Sequence, residues 1–523
     1  MKFSVANLGK VGFISEEGSR FGNPVGALKA SNNVRCDGLN VKTILPPTQL
    51  FTVTGSAGMS LSLAIVPTFF HPIQFIDGNT GAKHYFVYAN NNYLYGTGED
   101  SRKNNLTRTS GGADVLYSAD SDFFRWSGEV INGLPVMVNG WDSPQVQLTK
   151  NLTTRFQNMR WDDSASTTWA TRTAGAVACR VMTSLEKHFV ALNTKEAGTY
   201  FLSRVRWSGP TLTLTQPTTW DDERLDTVAD YYDIDETTGE IYDAVPLGRK
   251  LIIYKSDSIW SMTWVGGDSV FQFERLFDWG PASRDCVVSL GNTHIVLTAN
   301  DVLEHDGLTY RSLAVGKIKT EIARFGDNNG IYRLAWHEKE RELMVFAGFI
   351  SSPWLYSYDL GSWTRGPAIN FTSPKSFIDD NNGINNGKKL AYIPTSTPYI
   401  YTFSSVITAT STLTTTGNVT IPLLLYDREK TKLADMRSIK EIKSITPYYE
   451  CSGSAVLTLS LRAYHSPEYP TGRVAGTTMT LSQSDCWRLN LQGRDFDLSV
   501  GMWGIGAVRL FGFDVEFDFI GER

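Results

Sequence analysis

The chain has 523 residues, of which 41% are hydrophobic and 12% aromatic, enough apolar material for a large buried core. Its formal net charge is −5, which excludes a domain-wide basic surface built to grip nucleic-acid phosphates. Five cysteines lie far apart with no C-x-x-C, so reduced structural thiols are expected rather than a disulfide framework or a zinc site. The first residues lack a continuous apolar segment of the signal-peptide kind, and no apolar run is long enough for a membrane-spanning helix.

Residues 1–47 show little periodicity and end in Pro46-Pro47, so they read as an N-terminal arm or irregular segment with a few strands. After them a unit recurs seven times: an apolar strand, a short polar turn, and a second strand rich in aromatics. The units are His84–Asp100, Leu134–Gln147, Lys187–Ser208, Lys250–Val265, Thr293–Ser312, Glu342–Arg365 and Lys389–Phe403. Successive starts differ by 50, 53, 63, 43, 49 and 47 residues. A single hairpin cannot cover its own apolar face, and a strand-pair repeat of this length marks stacked blades. The expected fold is therefore all-β: a β-propeller of six to eight blades over residues 48–405. Longer polar stretches at 150–175 and 209–245 interrupt the repeat and read as loop insertions that carry contacts to partners.

Helical patterns are few and short. Gly316–Arg324 is one, with Ile318 and Ile322 four apart, and Asp221–Tyr232 reads as a short helix or an acidic loop. The basic run Asp427–Lys443 reads as a solvated face. Ser404–Pro422 is rich in Ser, Thr and β-branched residues and reads as an extended strand. Beyond it, residues 437–465 alternate, and Trp487–Ile520 reads as three strands. Phe511, Phe513, Val515, Phe517 and Phe519 alternate there with Gly512, Asp514, Glu516 and Asp518. Residues 406–523 are thus expected to form a β-rich C-terminal module, or in part to close the propeller.

Catalytic signals are sparse. G-x-x-x-x-G-K-[ST], G-x-S-x-G and H-E-x-x-H are absent, and none of the seven histidines has another three to five residues away. His305-Asp306-Gly307 reads as a strand end and turn before it reads as an acid–base pair. Asp162-Asp163 and Asp221-Asp222 each follow a tryptophan, and adjacent residues on a strand point to opposite faces, so loop chemistry is favoured over paired-carboxylate catalysis. Ser357–Trp363 comes near a sialidase-type Asp turn, with Asp359 at its centre, but is one residue short and occurs once. The reading names no catalytic, cofactor-binding or metal-binding residue, expects no cofactor and expects no enzyme. A carbohydrate-active tail enzyme and a non-enzymatic binding propeller are its alternatives.

Several stretches, in order, resemble one family. They are Asn32–Gly38 (NNVRCDG), Val138–Gln145 (VNGWDSPQ), His188–Asn193 with Arg206-Trp207-Ser208, Leu251–Trp260 (LIIYKSDSIW), and Phe273–Arg284 (FERLFDWGPASR). Asn300-Asp301, His305–Gly307, Arg311–Leu313, Tyr356–Trp363 and Gly512–Val515 through Arg523 complete the set. Together they look like the tail nozzle, or tail hub, proteins of short-tailed bacteriophages, over roughly residues 30–520. The long segment 209–245 and the Ser/Thr-rich 404–422 depart from that pattern. The resemblance implies a structural virion protein. It implies a propeller-based subunit, commonly a homohexamer, in a ring below the portal and its adaptor. Such a ring conducts genome DNA without sequence-specific binding, gates it in some phages, and helps hold tail fibres or tailspikes. It also implies assembly in the host cytoplasm, location in the phage tail, and contact with the host envelope at the distal end.

Overall fold

The computed structural model describes residues 1–14, 24–45, 48–49, 67–77, 81–98, 103–118, 125–161, 177–223, 227–267, 270–324, 332–347, 352–368, 371–378, 388–394, 400–402, 414–423, 425, 438–464, 475–481 and 486–522. The architecture is all-β. Seven four-stranded antiparallel meanders account for the middle of the chain among these residues. Blade 1 is Phe69–Asp77, Gly81–Ala89, Leu94–Thr97 and Lys103–Asn105. Blade 2 is Ser127–Ile131, Leu134–Val138, Gln145–Val146 and Gln157–Asn158. Blade 3 is Ala178–Leu185, His188–Glu196, Thr199–Trp207 and Asp230–Asp233. Blade 4 is Ile241–Leu247, Lys250–Lys255, Ile259–Trp264 and Phe271–Phe277. Blade 5 is Val287–Ser289, His294–Leu297, Val302–His305 and Tyr310–Ser312. Blade 6 is Arg333–His337, Glu342–Phe346, Trp354–Ser357 and Ser362–Arg365. Blade 7 is Phe371–Ile378, Lys388–Pro394 and Tyr401–Thr402, with Thr48–Gln49 as its outer strand.

The first strands of blades 1 to 7 adjoin in chain order, and that of blade 7 returns to that of blade 1. A separate apolar core fills each junction. Phe70, Phe86 and Tyr88 of blade 1, for example, meet Ala391 and Ile400 of blade 7. The second strands of the blades carry apolar runs, such as Leu134–Val138 and Ile295–Leu297, because both of their faces are covered. Leu251 and Ile253 pack toward blade 3 while Ile252 and Tyr254 pack toward blade 5.

Strands from the segment read as an arm are built into the C-terminal module, and Thr48–Gln49, which directly follows that segment, is built into the propeller. Thr48–Gln49 pairs with Tyr401–Thr402, so the outer strand of blade 7 comes from the other end of the chain. Lys2–Ala6, Ala30–Asn32, Val34–Asp37 and Asn40–Thr43 join the C-terminal strands in two packed sheets. One sheet runs Val34–Asp37, Asn40–Thr43, Val508–Glu522, Ser438–Cys451, Trp487–Gly493, with Lys2–Ala6 also paired to Val508–Glu522. The other runs Ala30–Asn32, Thr414–Leu423, Asp495–Ile505, Val456–Tyr464, Ala475–Leu481. A single core, including Phe3, Val41, Val419, Leu459, Leu498, Phe513 and Phe517, lies between them. The C-terminal module is therefore a sandwich that includes both ends of the chain.

The sandwich docks on blade 6. Arg35 pairs with Glu340 at 3.2 Å and Glu342 at 3.3 Å. The Phe13 amide donates to the Trp363 carbonyl at 2.7 Å, and the Phe13 ring lies 4.8 Å from that of Trp354. These contacts cover an edge strand that would otherwise present open hydrogen-bonding groups. A short helix, Lys319–Ala323, falls inside the expected helical stretch, whereas Asp221–Tyr232 holds a turn and the start of a strand.

Candidate functional site at the propeller axis

The lead-ins and starts of the innermost strands converge on the axis and bring charged side chains with them. Arg125 precedes the first strand of blade 2, and Glu129 lies on it. Arg180 and Thr183 lie on that of blade 3, Tyr242 and Asp243 on that of blade 4, and Glu240 just ahead. Arg284 and Asp285 precede that of blade 5, and Arg333 opens that of blade 6. Arg180 pairs with Glu240 at 2.5 Å. Arg284 reaches across the ring and donates to the Arg125 carbonyl at 3.3 Å and the Arg180 carbonyl at 2.6 Å. One guanidinium thus ties blade 5 to blades 2 and 3, using the fixed fork that lysine lacks.

Burial sets the electrostatics of this site. It depresses the Arg284 and Arg180 guanidiniums below the usual arginine range, and repulsion adds to the effect, from Arg125 on Arg284 and from Arg284 on Arg180. It pushes Glu129 up to about 7, against the lowering effect of the nearby Thr183 hydroxyl and with the help of the nearby Asp243 charge. It raises the Tyr242 phenol, and the Cys286 thiol to about 12, so both stay protonated at neutral pH and are poor nucleophiles. Among the described residues no group of three or more His, Cys, Asp or Glu side chains could hold a metal ion. The arrangement pairs charge and spans the axis; it does not set a nucleophile against a base.

The pairs weighed from sequence have structural partners. The Asp306 carboxylate accepts from the Leu308 and Thr309 amides at 2.8 and 2.7 Å, which closes a turn and holds that carboxyl below its usual range. His305 Nε2 lies 2.8 Å from Tyr254 Oη, and His294 Nδ1 lies 2.6 Å from the same oxygen. Asp222 pairs with the buried Arg206 at 3.2 Å, while Asp221 accepts from the Glu223 amide at 3.0 Å. Asp359 pairs with Arg341 at 2.7 Å. Asp162-Asp163 lies outside the described residues.

The motifs that carry the nozzle resemblance also fall at points of constraint. Asn139 Oδ1 accepts from the Trp141 and Asp142 amides and so shapes that turn. Buried Lys255 donates to the Ile234 and Thr237 carbonyls, both at 2.6 Å, and anchors the connection from blade 3 to blade 4. Sequence reasoning missed Arg125, Arg180 and Arg284. Arginines scattered over three blades carry no spacing signal, although Arg284 closes one of the resembling stretches.

No family model and no curated protein matches the chain. Solved structures with some likeness include Hsv2 of Kluyvelomyces marxianus, 8% identical with a TM-score of 0.30, covering 58% of this chain and 93% of that one. The extracellular domain of the one-component system BT4673 of B. thetaiotaomicron is 9% identical with a TM-score of 0.42, covering 92% of this chain and 64% of that one. PorZ of Porphyromonas gingivalis is 10% identical with a TM-score of 0.32, covering 71% of this chain and 43% of that one. This chain thus spans less than two thirds of the length of the last two.

Proposed function

We propose that this protein is a structural ring subunit of the tail-nozzle kind, in which several copies enclose a channel that conducts genome DNA. The observation that carries the reading is the ordered set of resembling stretches over roughly residues 30–520. It gains support from where those stretches lie. Arg35 ties the sandwich to blade 6, Lys255 and Tyr254 sit at blade junctions, and Arg284 spans the axis. Residues shared for their effect on shape fit a scaffold better than a catalyst.

The axis of one propeller is not the conduit in this reading. A gap that one arginine side chain bridges is far narrower than a DNA duplex, so the lumen lies between subunits. A net charge of −5 suits such a lumen, because a strongly basic wall would retain phosphates. Ring, adaptor and fibre contacts, the homohexameric state and the location in a virion tail belong to the same proposal. Electron microscopy of the purified full chain should show closed rings, with six-fold symmetry as the expected count. A protein that stays monomeric at micromolar concentration, and is absent from tail tips in particles, would remove the reading. Turnover of a polysaccharide lost on Asp359→Asn would support an enzyme in its place.

A further inference from the structure

We propose that the turn-bearing end of blades 2–5 is the surface by which one copy of this chain holds the next; the inference rests on the ring-subunit reading. The turns joining third to fourth strands all lie at one end of the propeller. In four successive blades they carry exposed apolar side chains: Leu148, then Leu212 and Leu214, then Trp264 and Val265, then Leu308. Leu212, Leu214 and Leu308 are 76%, 63% and 84% exposed, so successive turns at this end present apolar side chains to solvent.

The loop is fixed. The Thr211 amide and hydroxyl both donate to the Lys187 carbonyl, at 2.8 and 2.7 Å, and Asn132 Nδ2 donates to the Thr211 hydroxyl at 2.7 Å. The Leu214 amide donates to the Asn132 carbonyl at 2.8 Å, and the Thr215 hydroxyl donates to the Leu212 carbonyl at 2.7 Å. Leu214 itself has φ 61°, a left-handed backbone that bulky residues rarely adopt. A glycine would sit there without strain. A leucine held in a strained backbone on a pinned loop touches its own chain only along one side, against Gly133, and leaves most of its surface in water. Such rigid apolar presentation lowers the ordering cost of association.

Size and position favour a second copy as the occupant. The six side chains expose on the order of 600 Å², close to the ~800 Å² per partner of a standard specific interface. The next sector of the same end is already an interface: Glu340, in the first turn of blade 6, binds Arg35 of this chain's own sandwich. A closed ring needs a head-to-tail contact in which this surface meets a different one on the neighbour. The apolar row supplies one of the two.

The test compares the full wild-type chain with Leu212→Glu/Leu308→Glu and with Leu214→Gly, by mass photometry and circular dichroism. The expected result is rings for the wild type. The double variant should show at least 100-fold weaker association with an unchanged melting midpoint, and Leu214→Gly should weaken association while melting no lower. Rings that persist in the folded double variant overturn this interface but leave the ring reading standing. A monomeric wild type overturns the ring reading itself. A monomeric wild type that sediments with phosphatidylglycerol vesicles, and loses that property in the double variant, assigns the surface to a membrane and overturns the proposal.

Discussion

Tyr254 serves two buried histidines at once, and its geometry fixes their protons. His294 Nε2 faces the Pro246 carbonyl at 3.0 Å and must carry hydrogen, which leaves Nδ1 to accept from the Tyr254 hydroxyl. His305 Nδ1 accepts from the Gly307 amide at 3.2 Å, so its Nε2–H donates to the same hydroxyl. Tyr254→Phe strands two buried nitrogens, and urea unfolding should show a loss of about 2–3 kcal/mol. Both histidines are held near 4 by burial, below the ordinary imidazole value of about 6.5. The unfolded chain therefore binds more protons between these values. Stability is full above about pH 6.5 and falls as pH drops toward 4. Replacing His294 and His305 with glutamine should flatten that part of the pH profile. Glu129 runs the other way. Its folded value, about 7, lies above the ordinary carboxyl value of about 4.5, so stability is lost as pH rises through that window. Glu129→Gln should raise the melting midpoint at pH 8 and leave it nearly unchanged at pH 4.

At the scale of elements, the units legible as repeats are the middle two strands of each blade, joined in blades 5 and 6 by the outer strands Tyr310–Ser312 and Ser362–Arg365. Lys250–Val265, for example, contains Lys250–Lys255 and Ile259–Trp264. The inner strands, and the outer strands of the other blades, were not legible. Outer strands such as Gln157–Asn158 and Thr48–Gln49 are two residues long, too short for any period. Inner strands such as Ile241–Leu247 mix polar and apolar residues because they line the axis. The cover over the outer strand of blade 6 hangs on one backbone position. Gly12 has φ 64°, and a Cβ there would come within 2.8 Å of the Trp363 carbonyl oxygen. Gly12→Val should displace Phe13 from this edge and cost about 1–3 kcal/mol. Trp354 fluorescence should shift to the red as its ring neighbour leaves.

At the scale of the molecule, both chain ends belong to one sandwich and the propeller is an excursion between them. Lys2–Ala6 pairs with Gly512–Glu516, and Gly512 permits the approach, since a Cβ there would meet the Val5 carbonyl oxygen. Removing residues 1–49 takes four strands from the sandwich and the outer strand from blade 7. The shortened chain should lose the cooperative melting transition of the sandwich, read by calorimetry, and hydrogen exchange should rise first in Lys388–Pro394 and Tyr401–Thr402. Pairing ends of the chain that lie hundreds of residues apart is slow to search, so refolding should be slower than local meander formation allows.

The sequence by itself determined the strand-rich class, the repeated hairpins and the alternating final strand, because these follow from period and turn chemistry within a few residues. It also carried the ordered resemblance on which the functional proposal rests. Only the tertiary structure decided that Lys2–Ala6 and the strands between Ala30 and Thr43 complete a sandwich, that Thr48–Gln49 finishes blade 7, and that Arg284 bridges blade 5 to blades 2 and 3. The physical reason is sequence separation. The Phe3 and Phe513 side chains share a core, and Arg125, Arg180 and Arg284 meet at an axis, only after the ring has closed, and nothing local in the chain encodes those distances.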